Sequence, residues 1–279
     1  MTVALESGAV SLLERCATQM EGGGLSEAEL RRLESWCSQA CERSRSTEDF
    51  LSAAPAEWES LILAHPAHHH AWYGFIKEEI TTDELAQFLL ENRHYPTFLR
   101  LLEAIEAVQI CEDGRRAVQE NLADEQEPVP HAGLMRRLME AVRQRARPDL
   151  ELAVYPTLVD RTLVFYYGYY CDAWHLVGSV FATERMATRR VSCMDEGLRR
   201  LGFDEHARAF TITHSECDDH HARDWLERVI VPSIERDETL RAPIAKGIAA
   251  CLDTSERYLD SLMDRVIVGR AAAGQAPGR

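Results

Sequence analysis

At 279 residues, with 46% apolar and 28% charged positions, the chain has the composition of a globular protein large enough to bury a sizeable core. Its formal charge of −15 repels phosphate backbones and anionic headgroups, so neither nucleic acid nor a membrane surface is expected as a partner. No stretch reaches the roughly 18 apolar residues of a membrane span, and the N-terminal MTVALESGAVSLLERC lacks the basic start and long apolar run of a secretory signal.

The pattern is helical almost throughout, so an all-α fold is expected. Ser26 and Glu29 form a capping box that opens a helix in which Leu30, Leu33, Cys37 and Cys41 recur at helical spacing. The glycines at 22–24 end whatever helix precedes it, and residues 44–56, rich in Ser, Ala and Pro, look like a connector. Residues 1–60 are therefore expected as an N-terminal helical extension, or as the first helices of the same core. A second capping box, Thr81 and Glu84, opens a long helix over DELAQFLLENRHYPTFLRLLEAIEAV, bent where Pro96 removes a backbone donor. Residues 112–125 and the segment HAGLMRRLMEAVRQRA give two more helices, separated by the loop EQEPVP. The most apolar stretch runs from Tyr155 to Arg190, and Gly168 and Gly178 inside it predict close helix contacts and a central position. Residues 194–201 and 205–228 are expected as a pair broken at Gly202, residues 240–262 as the last clear helix, and 266–279 as a flexible tail. The eight cysteines show no CxxC and no zinc-finger spacing, which predicts reduced thiols in a cytoplasmic protein.

The segment TITHSECDDHHARDW carries the clearest chemistry. His214, Asp218 and His221 stand at i, i+4 and i+7, so on a helix their side chains lie within about 60° of one another. Imidazoles with a carboxylate suit a transition metal such as iron, manganese or zinc, and iron is expected. The plainer alternative is a solvated polar surface, since Asp219, His220 and Asp224 occupy other faces. Glu91 and His94, in LLENRHYPTF, form a Glu-x-x-His pair of the kind used by dimetal sites in helical bundles. Glu184 follows apolar and small residues, where a buried carboxylate needs a partner; Arg185 or Arg189 could also supply one. Together Glu91, His94, Glu184, His214, Asp218 and His221 offer three carboxylates and three imidazoles. Six protein ligands would leave one ion no room for chemistry, so two irons per chain are the economical reading.

His-x3-Asp-x2-His, preceded by an isolated Glu184 and by ENRH, resembles the haem-oxygenase-like diiron oxidases and oxygenases, a family of iron-containing redox enzymes. The segment NLADEQEPVPH (121–131) is similar to an asparagine-leucine and acidic stretch, followed by a histidine, that such proteins carry. The resemblance covers roughly residues 60–265 and implies the seven- or eight-helix bundle shared with the TenA and PqqC proteins, here as a domain over 61–265. It also implies that the six residues above are ligands, that one iron is labile, and that dioxygen is activated. The expected substrate is a small organic acid, amino acid or amine, with oxidative decarboxylation, C–C cleavage or N-oxygenation as outcomes. An external electron donor is then needed, and a homodimer is left open. Two rival readings remain: a TenA/PqqC-type enzyme without a diiron centre, and a non-catalytic helical metal-binding protein.

Other residues invite a plainer reading. His65, His68, His69 and His70 suit a polar helix start after Pro66 better than a haem ligand, and Cys171 and Cys217 suit core packing better than a nucleophile. Among Tyr95, Tyr166, Tyr167, Tyr169 and Tyr170 the sequence singles out none. Arg185 and Arg189 are candidate anchors for a substrate carboxylate.

Overall fold

The computed structural model describes residues 2–20 and 22–272, with the side chains of 2–8, 216–219, 271 and 272 left aside. Three helices lead: α1 (Thr2–Gln19), α2 (Glu27–Glu42) and α3 (Thr47–Ser52). Then come α4 (Trp58–Ala64), α5 (Ala71–Glu78), α6 (Thr82–Leu89), α7 (Phe98–Glu106), α8 (Glu112–Asp124) and α9 (His131–Arg145). The chain closes with α10 (Pro156–Cys171), α11 (Ala173–Arg200), α12 (Glu205–Asp224), α13 (Val231–Arg236) and α14 (Arg241–Ala272). There is no strand among the described residues. The fold is all-α.

Both expected capping boxes are present, Ser26 with Glu29 and Thr81 with Glu84. The helix after Thr81 is not continuous, however. Residues Leu90–Thr97 form a 3-10 segment between α6 and α7. Pro96 cannot donate to the carbonyl four residues back, and its ring would clash with it, so the chain tightens before Pro96 rather than bending gently. The apolar run 155–190 also divides. Asp172 leaves helical geometry and accepts the backbone N–H groups of Trp174 and His175, capping α11 and separating it from α10. Past that cap α11 runs on to Arg200 and absorbs the segment expected as a separate helix.

Helix α11 lies at the centre, packed against α5, α10, α12 and α14. Leu176, Val177, Val180, Phe181 and Ala182 are completely buried, the all-round burial that an apolar helix requires. Its crossing with α14 is backbone to backbone. A Cβ on Gly178 would stand 2.1 Å from the Ile244 carbonyl oxygen, and one on Gly247 would stand 2.0 Å from that of His175. Ser179 Oγ donates across this contact to Gly247 O at 3.2 Å. Gly168 of α10 meets Leu176 of α11 in the same way. These contacts set the register of α11, and Glu184 lies less than two turns beyond Gly178.

Helices α1–α3 bury Leu12, Leu13, Cys16, Leu33 and Phe50 in one core with Leu163, Val180 and Phe181 of α10 and α11. Tyr170 Oη donates to Cys16 O at 2.8 Å, and Trp36 Nε1 to Asp160 Oδ1 at 2.8 Å, tying this layer to α10. After α12 the chain makes a π-helical turn, Trp225–Ile230, ahead of Pro232. The Arg228 carbonyl points at Gly114 of α8, where an added Cβ would stand 2.6 Å away, so this turn brings α8 close to the end of α12. No helix among the described residues is long and apolar enough to cross a membrane.

Gly178→Ala is expected to destabilise the protein by about 1–3 kcal/mol or more, because its Cβ meets backbone that cannot yield. Gly74→Ala, whose Cβ meets nothing within 4 Å inside α5, should instead stabilise by about 0.5–1 kcal/mol. Urea denaturation of both variants beside the parent chain checks the pair.

Candidate metal centre

Helix α8 ends at Asp124, and Glu125 occupies its C-cap position. The five residues that follow hold two prolines and cannot continue the helix. His131 then opens α9, its backbone N–H donating to the Glu125 carbonyl at 2.9 Å. This short closure sets the two side chains together, with His131 Nδ1 3.4 Å from Glu125 Oε2. Helix α12 supplies His214, whose Nε2 lies 3.6 Å from Glu125 Oε1. The ligating atoms of Glu125, His131 and His214 all lie within 4.8 Å of one another, and all three residues are buried.

The tautomer of His214 suits metal binding. Its Nδ1–H donates to the Phe210 carbonyl at 3.0 Å, which leaves Nε2, on the Glu125 side, as the nitrogen that would take a metal. Tyr95 Oη lies between them, donating to Glu125 Oε2 at 2.9 Å and standing 3.1 Å from His214 Nε2. Burial would raise the Glu125 carboxyl, but the close His131 and His214 rings outweigh it and hold the group down at about 2.

A second carboxylate–imidazole group adjoins the first. Glu184 Oε2 lies 4.0 Å from His221 Nδ1. The other nitrogen, Nε2, meets Asp124 Oδ2 at 2.9 Å; an N–H there leaves Nδ1 as the nitrogen on the Glu184 side. Asn121 Nδ2 donates to Glu184 Oε1 at 3.4 Å. Burial raises the Glu184 carboxyl, as does the charge of Glu125, while the charge of His221 works in the other direction. His221 is raised: burial opposes its charge, but Glu184 and Asp124 overcome that. Buried carboxylates and imidazoles with lone pairs turned inward form the donor set that a divalent transition metal takes, so these residues fit such an ion. Asp218, expected as a ligand, lies outside the residues whose side chains are described, as does Cys217.

Of the six residues expected from sequence, the structure brings Glu184, His214 and His221 together. It does not bring Glu91 and His94 into that group. Glu91 lies in the 3-10 segment, 3.3 Å from Arg161 Nη1 and 3.7 Å from Arg190 Nη1. His94 accepts from Arg93 Nε at 2.8 Å, and burial, with the Arg93 charge, lowers it to about 4. Both line a cavity that also reaches Glu125, Glu184 and His214, walled by Phe98, Leu101, Phe165 and Val191. The residues passed over are Glu125 and His131. Both lie in NLADEQEPVPH, but Glu-x5-His spans a loop and matches no helical period, so spacing did not mark it. Arg185 and Arg189 face elsewhere: Arg185 pairs with Glu59 at 2.8 Å, and Arg189 is exposed. The Cys171 thiol is pushed up to about 11, by burial and then by Glu34 and Asp172, which does not suit a nucleophile.

His65, Asp253 and Glu256 form another group with metal-ligating atoms in reach, and here the tautomer argues the opposite way. His65 Nδ1 accepts the Ala67 N–H at 3.1 Å, so Nε2 carries the proton and donates to Asp253 Oδ1 at 3.1 Å. Asp253 also accepts from the hydroxyls of Ser44 and Ser46. No lone pair of the ring is left for an ion. This is a fastening between α14 and the segments before α3 and after α4. His70 does similar work as the N-cap of α5, its Nδ1 accepting from Trp72 N at 3.0 Å.

Buried carboxylates and imidazoles inside a helical bundle define the class: an all-α protein with a nitrogen-and-oxygen donor set suited to a metal ion. The family model for iron-containing redox enzymes matches residues 104–256, and the chain belongs to that family. The matched span holds Glu125, His131, Glu184, His214 and His221, whereas Glu91 and His94 precede it. A curated relative, 4-chloro-allylglycine synthase of Streptantibioticus cattleyicolor, is 29% identical over 94 residues, or 34% of this chain and 36% of that protein. The match therefore spans little more than a third of the relative's length. A solved CADD-like protein of unknown function from Nostoc punctiforme aligns over 86% of this chain and 99% of its own, at 13% identity and a TM-score of 0.43.

Asp253→Asn should cost about 1–3 kcal/mol near neutral pH by weakening the His65, Ser44 and Ser46 contacts. Asp253 is depressed to about 2: burial opposes this, but His65, Ser44 and Ser46 prevail. A depressed carboxylate contributes its stability above its unfolded pKa of about 4 and loses it as pH falls towards 2. Denaturation midpoints of parent and variant should thus differ most above pH 4 and converge as the solution is acidified to pH 2.

Proposed function

We propose that this chain is a dioxygen-dependent oxidoreductase with two irons, acting on a small amino acid or related organic acid. The observation that carries this reading is the pairing of buried carboxylates with imidazoles whose second nitrogens are already occupied, His214 by Phe210 O and His221 by Asp124. Glu125, His131 and His214 would hold one ion; Glu184, Asp218 and His221 would hold the other. Membership of an iron-containing redox family supports iron as the metal. The amino-acid product in the relative's name supports an amino acid among the substrates.

Bound iron supplies electrons to dioxygen and a Lewis-acidic site for an anionic group. Everything else falls to the side chains. Phe98, Leu101, Phe165 and Val191 exclude water and orient the apolar part of the substrate. Tyr95 holds a proton at Oη between Glu125 and His214, where it can be delivered to an acceptor bound beside them. Asp124 orients the His221 ring. Glu91 and His94, on the wall of the same cavity, contribute polarity rather than ligation in this arrangement. Oxidative decarboxylation, C–C cleavage and N-oxygenation are each compatible with such a pocket, and an external donor would restore the reduced state. Asp124, which orients His221, is 56% exposed, so the iron held through His221 would be the labile one.

Anaerobic loading with ferrous iron, followed by metal analysis, should give about two irons per chain, one of which a mild chelator removes first. Exposure to dioxygen with a panel of amino acids and carboxylic acids should then consume oxygen. Asp124→Ala should weaken the labile iron about 10–100-fold, the usual effect of losing the group that orients a ligating histidine. His214→Ala should remove the retained one. Only trace iron, or turnover that survives complete chelation, would refute the reading.

A further inference from the structure

Glu91 is one carboxylate facing two guanidiniums. Arg161 comes from α10 and Arg190 from α11, and their side chains are only 11% and 16% exposed, that of Glu91 3%. The other titratable neighbours of Arg161, namely Tyr73, Tyr258 and Cys251, are neutral at pH 7. Counted over Glu91, Arg161 and Arg190 alone, two guanidiniums face one carboxylate, a surplus of one positive charge in a buried place, where an uncompensated charge is costly.

The contacts are also open. Arg161 lies 3.3 Å from Glu91 without a hydrogen bond among the described residues, and Arg190 stands at 3.7 Å, beyond hydrogen-bond reach. Glu91 Oε1 has no hydrogen-bond partner among the described residues. Arg161 uses Nε to donate to Ser255 Oγ at 3.2 Å, which leaves its terminal nitrogens available. A finished structural ion pair in the same protein looks different: Arg208 Nη1 reaches both oxygens of Asp195 at 2.8 Å, and Thr211 adds a third contact. Arg161 and Arg190 instead line the cavity that reaches Glu184 and His214, beside the apolar surfaces of Phe165 and Val191.

We infer that Arg161 and Arg190 are the specificity-determining anchor for the carboxylate of the substrate, with Glu91 as the internal counter-ion that holds them while the cavity is empty. A planar guanidinium matches a carboxylate with two parallel hydrogen bonds, and two such forks converge here. The surplus of one charge selects a monoanion over a phosphate dianion. The apolar wall selects an aliphatic or aromatic body attached to it. The inference deepens the proposed function, because it takes this cavity to be the substrate site, but it concerns the arginines and not the iron.

The test is isothermal titration calorimetry of the full chain, metal-free and separately loaded with ferrous iron under argon, against hexanoate and hexanamide. Hexanoate should bind at least about tenfold tighter than hexanamide in both forms, as expected when a charged hydrogen-bond partner is lost. Arg190→Met, which keeps length and loses charge, should weaken hexanoate about tenfold and leave hexanamide unchanged. Glu91→Gln frees both arginines and should tighten hexanoate several-fold, an effect in the opposite direction to that of a damaged fold. Discrimination seen only in the iron-loaded form would place the carboxylate on the metal and overturn the inference. So would equal binding of acid and amide, absence of binding, or a Glu91→Gln variant that weakens hexanoate. Because the metal-free arm needs no iron, a chain that binds hexanoate but no iron would refute the proposed function and leave the anchor standing.

Discussion

Glu125 and Glu184 are buried close enough to feel one another's charge, in a bundle whose interior is otherwise mostly apolar. Removing a carboxylate from water costs several kcal/mol even after relaxation, and two together repel. The surrounding elements meet that cost. The loop after α8 returns His131 to Glu125, α12 presents His214 and His221 on one side, and Asn121 and Tyr95 donate to what remains. A bundle assembled this way is prepared for a divalent cation, since neither carboxylate is fully neutralised by hydrogen bonds alone. The backbone crossing of Gly178 with Ile244 and of Gly247 with His175 matters for the same reason: it sets where along α11 the Glu184 side chain enters.

The state of the rings separates this centre from its look-alike. At His214 a backbone carbonyl takes the Nδ1 proton and leaves Nε2 as a donor for metal. At His65 a backbone N–H occupies Nδ1, so Nε2 must carry the proton to Asp253. Two groups of similar composition thus have opposite capacities, decided by one backbone contact each. Composition alone makes His65, His68, His69 and His70 the more conspicuous histidines, yet His65 and His70 serve as fastening and cap.

The cavity joins two kinds of chemistry. Glu125, Glu184 and His214 face it with ligand atoms, whereas Arg161 and Arg190 face it with positive charge restrained by Glu91. Between them lie aromatic and aliphatic walls. A small anion with an apolar body is the ligand this lining suits. Glu91 is conspicuous as an acid in the sequence because it precedes His94 by three residues, but its nearest charged neighbours come from α10 and α11, far along the chain.

Helical content, both capping boxes and the inward stripe of His214 and His221 were legible in the sequence, because each depends on neighbours within about two turns; the glycines at 168 and 178 marked close contacts without naming their partners. Three things were not. The 3-10 segment around Pro96 and the break at Asp172 are outcomes of local competition between helix geometry and a proline or a capping carboxylate, which periodicity does not rank. Glu125 and His131 are joined by a loop closure whose spacing has no helical period. The partners of Glu91 and of His65 are set by which helices cross and at what register. Residue types and local periodicity suffice for an all-α chain that carries carboxylates and imidazoles suited to a metal. Which of them meet depends on packing, through glycine-mediated helix crossings and single backbone hydrogen bonds that join distant parts of the chain.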